Sequence, residues 1–325
     1  MELAGLALID GKRPDSRDAA ETTSARARAR EGCIQELEKG IHSASLVEPG
    51  SAHSTSRGFA VVTLSELSVA HSWLQAMRPL PPEVVEELRH RYEVALTYHS
   101  TAIEGNTLTQ SETQIVLEKG VTIGGKSLAE HLEVIGHKEA LDFVQELASA
   151  NTAIGEREIR EVHSLVMKGL ANEDSGRYRN LDVMAAGTEY RYPSHLHLPE
   201  LMAEFVAWIQ TDSSLHPVVF ASEAHLRFVT IHPFRDGNGR VGRLLLNLLL
   251  LRSGYPIAVL RVNQRAEYIS ALEAAQKGGS RDELDALVLE AVGRSLRETL
   301  ETALTSGSVD VSEATRAEIM EWVLG

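Results

Sequence analysis

The chain has 325 residues, a hydrophobic fraction of 43% and a formal net charge of −14, enough apolar material for one large domain with an extension or for two domains. That acidic balance argues against nucleic acid as the main partner, because such affinity is mostly phosphate neutralisation by Lys and Arg. No window approaches the ~20 apolar residues of a membrane span, Met1 to Asp10 lacks the positive flank of a secretory signal, and the single Cys33 excludes an intrachain disulfide or a cysteine-built metal cluster. A cytoplasmic protein without membrane contact is the expectation.

Residues 1–57 mix Ser, Thr, Ala, Arg and Glu with little periodicity, which predicts a mostly disordered segment with one short helix around Ile34 to Ile41. Pro81-Pro82 then opens a helix on which Val84, Val85, Leu88, Tyr92, Ala95, Leu96, His99 and Ile103 recur at three and four, with Gly105 as its stop. Ser100 and Glu104 share one face near its end. A glutamate there meets the negative end of the helix dipole, and is easier to account for if a cation faces it.

Thr109 with Glu112, and Ser127 with Glu130, form capping boxes for two further helices, the second running to about Ser149. Glu156 to Leu170 predicts another amphipathic helix. Gly176 to Pro193 breaks the pattern: Leu181, Val183, Ala186-Gly187-Thr188, Tyr190 and Tyr192 fit either two short extended arms around a glycine turn or an irregular surface loop. Helices are predicted again to about Gln210 and over Arg265 to Gln276. Ser280 and Glu283 are expected to cap another, and Asp310 to Leu324 to form a last one.

Between Val218 and Leu251 two apolar runs flank Ile231-His232-Pro233-Phe234-Arg235-Asp236-Gly237-Asn238-Gly239-Arg240-Val241-Gly242-Arg243. Gly237, Asn238 and Gly239 at the start of a buried helix let successive N–H groups turn to one point, an anion site. Arg240 and Arg243 supply guanidinium forks for further phosphate oxygens. Asp236 would repel an anion unless a hard divalent cation, Mg2+, sits between them. His232 is placed to accept a proton from an incoming hydroxyl.

The run from His232 to Arg243 resembles the signature of Fic-domain proteins at every motif position, and the likeness extends from about Tyr92 to Leu300. It is similar to animal chaperone-modifying members and to bacterial members with an N-terminal inhibitory helix. The resemblance implies an all-α fold, a Fic-type helical core with a small β-hairpin flap. It implies transfer of AMP from Mg-ATP to a Ser, Thr or Tyr hydroxyl of a target protein, with His232 as base, Asp236 holding magnesium, and Gly237, Asn238, Gly239, Arg240 and Arg243 on the phosphates. Ser100 to Asn106 resembles the family's inhibitory motif, which implies that Glu104 pairs with Arg243 and blocks productive ATP binding.

By the same resemblance, Gly187, Thr188 and Glu189 of the flap and Tyr268 and Gln276 contact the nucleotide, Tyr268 near the ribose. Relatives often carry Asn at the position of Gln276. The target is expected to dock on the flap at about 181–193, and a homodimer is left open. The implied organisation is a disordered segment 1–57, an N-terminal helical region 58–105, a Fic catalytic domain 106–303 and a helical tail 304–325. Two alternatives stand beside AMP transfer: removal of AMP by the same site, and a non-catalytic ATP-sensing module.

Overall fold

The computed structural model describes residues 62–150, 152–170, 174–184, 190–211 and 213–325. The segment 1–57 with its Ile34 to Ile41 helix, and Gly187, Thr188 and Glu189, lie outside the described residues. Among the described residues the secondary structure is helical and contains no strand. The α-helices are α1 (Leu64–Ala76), α2 (Pro82–Ile103), α3 (Gln110–Lys119), α4 (Leu128–Ala150), α5 (Glu156–Val166) and α6 (Leu198–Ile209), then α7 (Pro217–Ile231), α8 (Asn238–Arg252), α9 (Arg265–Gln276), α10 (Asp282–Thr305) and α11 (Glu313–Leu324).

The core is built around α8. Every residue from Arg240 to Leu250 is buried, and Leu244, Leu246, Leu248 and Leu250 are at most 1% exposed. Burial of each such side chain stabilises by about 1.5–3 kcal/mol. The helix is therefore held by packing on all sides. Its neighbours are α7, α4 and α5, and α2, which also packs on α3 and α4, touches it as well. Gly242 makes the α7 crossing close, since a Cβ there would lie 2.9 Å from Val229 Cγ1 and 3.0 Å from His225 Nδ1. On the far side α10 joins α1, α7, α9 and α11 into the same core, which runs from Val62 to Ile319.

Local chemistry sets most boundaries. Pro82 occupies the first turn of α2, where its missing N–H costs nothing. Thr109 with Glu112, and Ser127 with Glu130, exchange the expected capping-box hydrogen bonds at 2.8 and 3.2 Å. A further box, Thr63 with Glu66, opens α1. Two ends differ from expectation. α5 stops at Val166 rather than Leu170, because Gly169 takes a left-handed φ of 79° and turns the chain. Ser280 and Glu283 form no box: Ser280 Oγ accepts from Asp282 N at 3.0 Å, and Arg281 holds the cap position with its guanidinium drawn to Glu223 and Asp285.

The small β-hairpin flap is not formed as strands in the described parts of its two arms, up to Met184 and from Tyr190 onward; the turn between them lies outside the described residues.

Candidate functional site

The loop between α7 and α8 is locked from within. Asn238 Oδ1 accepts from Phe234 N and its Nδ2 donates to Phe234 O, both at 2.9 Å. This reciprocal pair consumes the Asn238 side chain, leaving only its main chain for a ligand. Phe234 is fully buried and stacks on the His163 ring at 3.7 Å. His163 Nδ1 accepts from Gly176 N at 2.9 Å, so its Nε2 carries the hydrogen and donates to Asp236 O at 3.1 Å. Burial pushes the His163 pKa down to about 4, which keeps that tautomer neutral. His163 was not singled out from sequence. Its register with Ile159, Val162 and Val166 on the buried face of α5 was the available signal.

Gly237 (φ 78°) precedes α8 and supplies no side-chain cap. The first-turn N–H groups of the helix are thus available to an anion. On one side of this mouth, Arg243 is saturated. Its Nε donates to Ser100 Oγ at 3.0 Å, and its Nη2 donates to Ser100 O at 2.7 Å and Glu104 Oε1 at 2.8 Å. The Glu104 carboxylate lies directly on the loop: a Cβ built on Gly239 would collide with Oε1 and stand 3.2 Å from Cδ. Only glycine at that position lets the carboxylate settle there.

On the other side, Arg240 is buried and half satisfied. Nη2 reaches Asp236 Oδ1 at 3.3 Å and Met167 Sδ at 3.8 Å. Nε and Nη1 have no hydrogen-bond partner, and Glu133 Oε1 is 3.9 Å from Nη1. Asp236 itself is 69% exposed, with Oδ1 also accepting from Gly237 N at 2.6 Å.

His232 caps α7 in left-handed geometry (φ 52°), the one non-glycine residue with positive φ among those described. Its Nδ1 lies 3.2 Å from Val229 O. A carbonyl only accepts, so Nδ1 carries the hydrogen and Nε2 keeps its lone pair. Burial lowers its pKa to about 4, with the Arg179 charge acting the same way. The ring stacks on Tyr192 at 3.9 Å.

Tyr268 and Gln276 are both engaged by groups of the chain itself. Tyr268 is 2% exposed and faces inward: its hydroxyl accepts from Arg243 and is hydrogen-bonded to His225 Nε2 at 2.8 Å. It therefore supports Arg243 from within the core. Gln276 Nε2 points at Val229 O, at a long 3.4 Å, the carbonyl that also receives His232 Nδ1.

Residues 153–250 match the model of the Fic/DOC family. The chain is 39% identical over 186 residues to the protein adenylyltransferase Fic of Drosophila persimilis, a match covering 57% of this chain and 36% of that protein. The match thus spans little more than a third of that relative's length. Among solved structures, Fic-1 of C. elegans (residues 134–508) has a TM-score of 0.67 and 33% identity, with 74% of this chain and 72% of that chain covered. A Fic-domain signaling protein from Bacteroides thetaiotaomicron has a TM-score of 0.67 and 27% identity, covering 74% and 97% respectively.

Proposed function

The chain belongs to the Fic/DOC family, and from that premise we propose that it is an autoinhibited protein adenylyltransferase acting on a hydroxyl of a target protein. One observation carries the reading: a carboxylate of the chain's own, Glu104, rests on the glycine loop and on Arg243, where an anionic ligand would otherwise bind.

In the reaction, the target hydroxyl attacks the α-phosphorus of ATP while its proton passes to His232 Nε2. The bond from the α-phosphorus to the bridging oxygen breaks, pyrophosphate leaves, and AMP remains on the target oxygen. The α8 N-terminal amides and the unmet N–H groups of Arg240 stabilise charge on the phosphates. The donor set fits magnesium, which takes one or two carboxylates and completes its shell with substrate phosphates and water. Asp236 is such a single, exposed carboxylate, and no cluster of three His, Cys, Asp or Glu occurs among the described residues. Bound there, the ion would neutralise phosphate charge beside Arg240. Glu104 must leave Arg243 before a γ-phosphate takes its place.

The same reading assigns 58–105 as an N-terminal helical region ending in the inhibitory helix, 106–303 as the catalytic domain, and 304–325 as a helical tail. It also assigns 181–193 as a hairpin flap that docks the target, with Gly187, Thr188 and Glu189 over the nucleotide. A cytoplasmic location completes it, with a homodimer left open. No helix among the described residues is long and apolar enough to cross a membrane.

Removal of AMP is the second reading, favoured by Glu104 resting on the glycine loop beside Arg243, where its carboxylate could accept a hydrogen bond from a water. ATP labelled at either the α- or the γ-phosphate separates the two. AMP transfer predicts protein-bound α-label only, increased by Glu104→Gly. Removal predicts no α-label from ATP and loss of label from a pre-modified protein, abolished by Glu104→Gly.

A further inference from the structure

The feet of the flap are fastened by side chains. Arg179 is wholly buried, and its guanidinium is spent on main-chain carbonyls from three segments. Nε donates to His232 O at 2.9 Å, Nη1 to Leu181 O at 3.1 Å, and Nη2 to Pro193 O at 2.6 Å. Its own backbone N–H donates to Pro233 O at 2.9 Å. The nearest ion-pairing carboxylate, Asp182, stands 3.7 Å away and is itself engaged. Asp182 Oδ1 accepts from His195 N and Nδ1, both at 2.8 Å, and from Ser194 Oγ at 3.2 Å.

One planar fork therefore links the first arm, the second arm and the carbonyl of the base. The second arm also lays Tyr192 on the His232 ring. The height of both arms over His232 is set at the point where a rigid guanidinium reaches all three carbonyls together. A lysine has one nitrogen and lacks that span.

Resting on the AMP-transfer reading above, we propose that Arg179 is a positioning residue that registers the two described arms, 181–184 and 190–193, to His232, so that a target hydroxyl docked beside them meets Nε2. Arg179 acts through the chain's own carbonyls, with no direct role on nucleotide or target. Its loss separates the alignment of the acceptor from the binding of ATP.

The test introduces Arg179→Gln and Arg179→Lys into full-length Glu104→Gly protein. Three quantities are read: AMP self-labelling rate, affinity for a fluorescent ATP analogue with magnesium, and amide hydrogen exchange over 180–184 and 190–195. We expect labelling to fall about tenfold or more with analogue affinity within about twofold. Exchange is expected to quicken about tenfold at both feet with α8 unchanged, and lysine to rescue neither effect. Unchanged labelling, proportional loss of labelling and affinity, full rescue by lysine, or unchanged exchange at the second foot would overturn the proposal. Should Glu104→Gly itself neither label nor bind the analogue, the AMP-transfer reading fails, and the exchange data alone decide whether Arg179 registers the flap. If the Arg179 variants do not fold, Asp182→Ala serves: it removes the ties to Ser194 and His195 and the carboxylate that pairs with Arg179. It should quicken exchange at the second foot and lower labelling less than about tenfold; no change at that foot would again refute the registering role.

Discussion

Arg240 and Arg243 lie three residues apart at the start of one buried helix, yet their surroundings are opposite. The C-terminal end of α2 gives Arg243 a hydroxyl, a carbonyl and a carboxylate, with Tyr268 behind them. Helices α4 and α5 offer Arg240 a thioether and a carboxylate just out of hydrogen-bond range, leaving Nε and Nη1 unmet. An unmet buried donor costs about 1–3 kcal/mol. The first flank of the glycine loop is thus a closed lock, the second an unfilled socket. What separates them is the tertiary neighbour, since the two arginines share sequence type, helix turn and burial.

The comparison is broken most severely at the base between the flanks. His232→Ala in a Glu104→Gly background should reduce AMP labelling by about 10²–10⁴-fold while leaving the Arg243 flank and nucleotide affinity intact; a rate within a few-fold of the parent would remove His232 from the chemistry. A smaller effect sharpens the contrast directly. Arg243→Gln should lower the unfolding free energy read from urea titration, because Ser100, Glu104 and Tyr268 lose a donor or partner, by about 1–3 kcal/mol given that Glu104 is 39% exposed. Arg240→Gln should leave stability unchanged or raise it, since two unmet donors disappear. Equal losses in both variants would erase the distinction.

The burial that both flanks share is tested by pH. Burial holds His137 down to about 3 and His163, His225 and His232 down to about 4. With an unfolded value near 6.5, the unfolded chain binds more protons between these limits. Stability is then complete above about pH 6.5 and falls as pH drops towards 4. Urea midpoints at pH 7, 6 and 5 should decrease in that order; a flat profile would mean that these rings protonate without cost.

The sequence made the loop legible because its chemistry is local: a histidine, a carboxylate, two glycines and two arginines within twelve positions must meet whatever surrounds them. Most helices were legible too, since Pro82, Thr109 and Ser127 act within one turn. What stayed hidden depends on distant packing. His163 reads as one more residue on an amphipathic face until Phe234 is found stacked on it. Tyr268 shows only that one face of α9 is buried, and it takes α7 and α8 in place to turn its hydroxyl towards Arg243 and His225. Asn238 suits an anion loop and equally suits the internal lock on Phe234 that it forms. Arg179 sits in a stretch with no periodicity, where nothing local foretells three carbonyl partners.

The central claim is that Glu104 restrains an otherwise competent site. Intact-mass measurement after incubation with Mg-ATP, on wild type, Glu104→Gly and the Glu104→Gly/His232→Ala double variant, tests it most directly. The account predicts added AMP on Glu104→Gly alone, at about ten times the wild-type level or more, a shift of about 1.4 kcal/mol. Equal AMP on wild type and Glu104→Gly, or undiminished AMP on the double variant, would contradict it.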